Sequence, residues 1–248
     1  MRKILWPTVW MLLGVALLLG LGSWQMQRKA WKEALIARIA ARTTAEPVPL
    51  QSALEEWQRT QDVEYLRVKF RGRFFHDKEM YLYAPSERGP GWQVFTPMLV
   101  PDAGMLIVNR GFVPDELRSP TRRSAGQLDG DVDVIGLARA PSQRTAFVPV
   151  NEPDRNIWYW RDLPTMLATA MGAGRQSGQP AVPFLVDAEL QPPNPGGWPK
   201  GGTTLLALTN RHLEYALTWY GLALALIGVY ALFIRSLLNS VEASSTEG

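Results

Sequence analysis

Two uncharged apolar runs bracket this chain, Ile4 to Gly22 and Tyr215 to Ile234, and polar residues return between them. At about 1.5 Å per residue each run extends roughly 28–30 Å, the thickness of the hydrocarbon core of a bilayer. The pattern predicts two transmembrane helices, over 1–24 and 206–235. A cleavable signal peptide is the rival reading of the first run, with "GLGS" at 20–23 at the place of cleavage. The run exceeds the usual signal core of about 7–15 residues and no A-x-A precedes the break, so an uncleaved anchor is the better reading. Past Trp24, "QMQRKAWKEALIARIAAR" is rich in helix formers and meets neither Gly nor Pro until Pro47. Trp31, Leu35 and Ile39 recur every fourth residue. This predicts a stalk helix over 25–44, continuous with the first span.

The signal changes after a short helix predicted in "PLQSALEEWQ" (49–58), where Pro49 suits a first turn. "YLRVKFRGRFF" sets Tyr65, Arg67, Lys69 and Arg71 against Leu66, Val68 and Phe70, a period of two that marks a half-buried strand. "EMYLY", "WQVFTPMLV", "GMLIVNRGFV", "DVDVIGLARA" and "VPFLVDAEL" continue in kind, broken by Gly, Pro, Asp and Ser. "WRDLPTMLATAMG" (160–172) reads as a helix ended by the Gly-rich "GAGRQSGQ", a loop around Ser177. "PPNPGGWPKGG" reads as an extended link. The predicted fold class is a membrane protein of α+β type. Two transmembrane helices flank a mainly antiparallel β domain at 45–205, an open sheet or small barrel, and 236–248 forms a disordered tail.

Charge and composition narrow the function more than the fold. Lys and Arg number 26 against 23 Asp and Glu, giving a net charge of +3 with no basic run, which argues against a nucleic-acid partner. The absence of cysteine removes disulfides, thiolate metal sites and a Cys nucleophile. Arg2, Lys3 and Arg235 lie at one membrane face and Arg28, Lys29, Lys32 and Arg211 at the other, so charge alone leaves the orientation open.

No catalytic constellation stands out, and the chain is expected not to be an enzyme. Walker, dinucleotide and Gly-x-Ser-x-Gly motifs do not occur. His76, in "FFHDKEMY" beside Asp77 and Glu79, imitates a metal site but reads better as a polar hairpin turn. Arg110, in "VNRGFVP", offers a cation for an anionic group; the alternative is a strand-to-turn junction relieved by Gly111. Trp158 and Trp160 in "NIWYWRD" are most simply packing residues.

The second span opens with "NRHLEYALTWYG" (210–221), which carries one of only two histidines. On a helix His212, Tyr215, Ala216 and Trp219 share a face, leaving room above the small alanine for a flat ligand between aromatic walls and an imidazole. Arg211 and the free helix N–H groups suit anionic substituents such as haem propionates. The competing reading is an interfacial aromatic belt with a wetted histidine. Ala16-x-x-x-Gly20 and Gly221-x-x-x-Ala225 are small-xxx-small pairs that predict close packing of the two spans, against ordinary small-residue usage.

Taken together, "LGLGSWQMQRKAWK", "YLRVKFRGRFF", "VNRGFVP", "NIWYWRD" and "NRHLEYALTWYGLA" give nearly the whole chain a specific resemblance, in order and spacing. It resembles the surfeit locus family of cytochrome c oxidase assembly factors, the Surf-one and Shy proteins of mitochondria and bacteria. The resemblance implies a domain on the outer side of the membrane, periplasmic in a bacterium, with both termini cytoplasmic. It also implies a role in placing haem a into the catalytic subunit of a haem-copper oxidase. The family's second-span histidine falls on His212, which becomes the expected axial ligand, with Tyr215 and Trp219 as walls and Arg211 at the propionates. The implied partners are the oxidase catalytic subunit, haem a synthase and the lipid bilayer. A scaffold that steadies the catalytic subunit without touching haem is the alternative. "MRKILWPTVW" enters the span without an Arg/Ser-rich transit segment, which favours a bacterial inner membrane.

Overall fold

In the computed structural model, which describes residues 2–85, 89–172, 180–204 and 209–246, the chain divides into two units. One comprises Met1–Arg38 and Ala207–Gly248, the other Ile39–Leu206. The predicted loop around Ser177 lies outside the described residues.

The first unit is built from the chain's two long helices. Helix α1 (Arg2–Thr44) is unbroken, so anchor and stalk are one element as the run of helix formers predicts. Trp31 on that stalk is exposed, Leu35 half-buried and Ile39 buried. Helix α4 (His212–Thr246) starts later than the predicted 206 and continues where a disordered tail was expected. Residues 236–246 contain neither Gly nor Pro, so nothing in them stops the helix. Segments Ile4–Thr44 and His212–Asn239 are long enough to cross a membrane, and each contains an 18-residue stretch apolar enough to do so, with mean hydropathies of 2.1 and 2.0.

These helices pair in antiparallel fashion. Thr8 hydrogen-bonds Tyr230 and Gln25 hydrogen-bonds His212, so α4 rises as α1 descends. The less exposed positions of α1 include Met11, Val15, Leu18, Gly22, Gln25 and Lys29; those of α4 include His212, Ala216, Trp219, Ala223, Leu226 and Tyr230. Both sets advance by alternate steps of four and three residues, the seam of a left-handed helix pair. That seam corrects the small-residue prediction. Ala16, Gly20, Gly221 and Ala225 are exposed, and a methyl group on Gly20 or Gly221 would meet nothing within 4 Å. Close approach occurs one step round the helix. A methyl on Gly22 would lie 2.5 Å from the Tyr220 ring and one on Gly14 2.9 Å from Leu226, while Ala216 and Ala223 are buried.

In the second unit the period-two segments form a barrel. Strand β2 (Arg67–Phe74) buries Val68, Phe70 and Phe74 and turns Lys69, Arg71 and Arg73 outward, as its alternation predicts. It pairs antiparallel with β6 (Asp131–Arg139), which pairs antiparallel with β7 (Ala181–Ala188). β7 runs parallel to β5 (Gly104–Pro114), and β5 antiparallel to β4 (Gly91–Val100). The ring closes where β4 returns to β2 through Arg73↔Leu99 and Phe74↔Met98. Gly72 makes that closure possible, since any Cβ there would collide with the Leu99 carbonyl oxygen. Strands β1 (Val48–Pro49) and β3 (Met80–Tyr83) extend the sheet at β2 and β4. Phe70, Phe74, Met98, Leu106, Val108, Val134, Phe184 and Val186 fill one core with Leu50 and Ala53 of helix α2 (Leu50–Thr60). A second core lies under helix α3 (Leu163–Met171), where Leu163, Met166 and Ala170 meet Met80, Phe95, Ile107 and Trp158. Asp162 caps α3 by accepting from the Thr165 N–H at 3.3 Å. Trp158 is wholly buried, the packing role its sequence context indicates.

Candidate functional site

Two constellations carry chemistry, one in each unit. In the helix pair, His212 occupies the first position of α4, and Gln25 of α1 reaches it across the seam. Their side chains meet at 2.7 Å between His212 Nδ1 and Gln25 Oε1. An amide oxygen only accepts, so Nδ1 carries the proton and the lone pair of the neutral ring sits on Nε2. Nε2 has no hydrogen-bond partner among the described residues. A protonated Nδ1 held by a carbonyl-type acceptor is the usual outer-shell arrangement of a metal-ligating histidine, because it fixes ring orientation and raises the basicity of the free nitrogen. The imidazole is thus oriented as a metal-ligating histidine would be.

Its predicted companions are only partly assembled. Trp219 is half-buried on the same seam, two turns along. Tyr215 is 56% exposed and lies on the flank of α4. Ala216 is fully buried, so the space expected above it is already filled and it serves as a packing position. Arg211 forms an exposed ion pair with Glu214 at 3.4 Å, and any propionate would share that guanidinium with a carboxylate. Among the described residues no three His, Asp or Glu side chains converge on a point where a metal ion would sit.

The second constellation was not anticipated. Glu79, Arg110 and Arg123 are buried together beside the barrel. Arg123 grips both carboxylate oxygens of Glu79, from Nη1 at 3.1 Å and from Nη2, while Tyr81 donates to the same group at 3.1 Å. Burial alone would raise the Glu79 pKa; the adjacent His76 ring, the hydrogen bonds from Arg123 and the two guanidinium charges outweigh it and hold the carboxyl near 2. Burial and the neighbouring carboxylate push the Tyr81 phenol upward. His76 stands in a turn between β2 and β3, as its context suggests, and its ring is engaged by the fold. It sits in a short 3-10 turn, its Nε2 3.0 Å from the Leu128 carbonyl and its Nδ1 3.4 Å from Arg110 Nη1. Gly111 has φ +114°, and the Lys200 carbonyl packs where a side chain would stand, so the glycine does relieve the backbone, but inside β5 beside an irregularity in its pairing with β4 and not at a strand-to-turn junction. Arg110 itself is a core residue, and the signal for it was available: a charged side chain in the middle of the apolar run "LIVNRGFV".

The geometry accompanies clear kinship. The SURF1 family model matches residues 12–224. Surfeit locus protein 1 of Homo sapiens is 42% identical over 223 residues, covering 83% of this chain and 70% of the relative. The Mus musculus protein of the same name is 41% identical over 233 residues, 87% and 72% of the two chains. A SURF1-like protein of Monosiga brevicollis is 38% identical over 239 residues, covering 91% and 87%.

Proposed function

This chain belongs to the SURF1 family, and from that premise we propose that it is a membrane-bound assembly factor for haem-copper cytochrome c oxidase, not an enzyme, that carries haem a on His212 to the catalytic subunit. The observation that supports this reading is the His212–Gln25 hydrogen bond, which leaves Nε2 as a directed lone pair at the mouth of α4. Haem, when bound, would supply a Lewis-acidic iron, and His212 is the residue that would hold it. Gln25 holds the ring plane and the proton on Nδ1. Trp219 offers an apolar wall, Tyr215 a second from the flank, and Arg211 a cation for a propionate on releasing Glu214. A single axial ligand at an exposed helix face suits a carrier that must also let go.

The proposal places the protein in a bacterial inner membrane with two passes, the barrel periplasmic and both termini cytoplasmic. Haem a synthase is the natural donor and the oxidase catalytic subunit the acceptor. A haem-independent scaffold draws support from the burial of Ala216 and the engagement of Arg211 by Glu214.

The experiment is an absorption spectrum of protein purified from cells that make haem a. Wild type should show a Soret band at near-stoichiometric level, and His212→Ala should lose most of it. His76→Ala, altered in the barrel unit, should keep its haem per folded chain. Equal haem in wild type and His212→Ala would end the ligand assignment, and the scaffold reading would then lead.

A further inference from the structure

Arg110 is 1% exposed, yet its charge is poorly answered. Nη2 donates to the Gly126 carbonyl and to Asn194 Oδ1 at 2.9 Å. Nη1 comes only within 3.4 Å of His76 Nδ1 and of Glu79 Oε1. Nε has no partner among the described residues. The one carboxylate within reach among the described residues, Glu79, is committed to Arg123, with Tyr81 and Gln127 donating to it as well. Two buried guanidiniums thus share one buried carboxylate, an arrangement that low-dielectric surroundings penalise unless a further anion is present. Burial accordingly draws Arg110 down to about 10.

A cavity of about 70 Å³ adjoins this guanidinium, lined by Phe74, Arg110, Leu128, Val132, Pro192 and Asn194 among others. A water molecule takes roughly 30 Å³ in the liquid, so the space admits a small polyatomic ion. Phe74 forms a floor, its ring centroid 5.0 Å from Arg110 Cζ. Asn194 uses one amide hydrogen on the Pro199 carbonyl at 2.5 Å and has a second to offer. The two carboxylates on the cavity's rim are engaged elsewhere. Glu189 accepts from Arg67 at 2.7 and 2.9 Å, and Asp133 is turned to solvent, 3.9 Å from Arg71.

We propose that this cavity is a binding site for a small oxyanion, inorganic phosphate or a simple carboxylate, taken by the Arg110 guanidinium with help from the Asn194 amide. The site lies wholly within the barrel unit and does not depend on the haem reading. The anion neutralises the surplus buried charge, so binding stabilises the fold. The full-length chain in detergent, in chloride-free buffer at constant ionic strength, is titrated with sodium phosphate and, separately, with sodium formate while its unfolding midpoint is followed. A saturable rise is expected, of roughly 5–10 °C at a hundredfold excess over Kd; the arm that responds identifies the source. Equilibrium dialysis should find one phosphate or formate per chain. Arg110→Gln should abolish the response but also disrupts the buried cluster. Val132→Asp is therefore the second arm, since it places a fixed carboxylate in the cavity wall and should remove the response in a folded protein. Absence of saturable binding of either ion to wild type, or an undiminished response in Val132→Asp, overturns the site and leaves a cavity filled by water alone.

Discussion

Replacing Glu79 with Gln keeps the shape of the side chain and removes the carboxylate that Arg110 and Arg123 share. In the wild type that carboxylate accepts from Arg123 through both oxygens, from Tyr81 and from Gln127. Removing one member of a buried ionic group while the others stay costs about 3–5 kcal/mol, because the remaining charges are left uncompensated. The fall of the Glu79 pKa from 4.5 to about 2 leads to a similar figure. At about 1.36 kcal/mol per pH unit it corresponds to roughly 3 kcal/mol. A depressed carboxyl pKa contributes its stability in full above the unfolded value, and that contribution is lost as pH falls from about 4.5 towards 2. Urea unfolding of the detergent-solubilised chain, followed by tryptophan fluorescence, should therefore show Glu79→Gln weaker by about 3–5 kcal/mol at neutral pH. Wild type should lose stability between pH 4.5 and 2, and the variant should lose less over the same interval. A variant within about 1 kcal/mol of wild type that keeps the full acid slope would refute the reasoning.

Three further outcomes follow from the packing. Gly22→Leu should weaken pairing of α1 with α4, measured by disulfide trapping between cysteines introduced on the seam, whereas Gly20→Leu should leave it unchanged, because only Gly22 faces a partner ring. Gly72→Val should destabilise the barrel by more than the about 1–3 kcal/mol usual for overpacking, because its obstacle is a backbone carbonyl that cannot rotate away; a smaller change in the unfolding midpoint would count against the β2–β4 closure. A reporter active only outside the cytoplasm should work when inserted beside Phe147, which is 99% exposed, and fail when fused after Gly248. The reverse pattern would overturn the proposed periplasmic location of the barrel.

Much of the fold was legible because its signals are local. The alternation of Val68 and Phe70 with Lys69 and Arg71 identifies β2 and its buried face, and the two apolar runs identify the long helices. What periodicity does not carry is partner choice. The parallel match of β5 with β7 and the two-residue seam between β2 and β4 depend on packing between distant segments. The helix seam was misplaced for a related reason: small residues occur on several faces of both helices, and only the alternating four- and three-residue steps select Gly22 and Ala216 over Gly20 and Gly221. The turn at His76 is legible, but turn chemistry describes the backbone and says nothing about what folds over the ring. Glu79 and Arg123 are 44 residues apart, a separation that hides their pairing. The position of His212 at the mouth of α4 is legible from the sequence, but its hydrogen-bond partner Gln25 has no signal of its own.

Gln25 precedes His212 by 187 residues, and this separation sets a schedule. Ribosomes add roughly 5–20 residues per second, so α1 waits on the order of ten to forty seconds for the strand of chain that completes it. Throughout that interval the barrel can fold while Gln25 has no imidazole to hold. The pairing of α1 with α4 thus acts as a clock: Gln25 can orient His212 only after the whole of the barrel's sequence has been made.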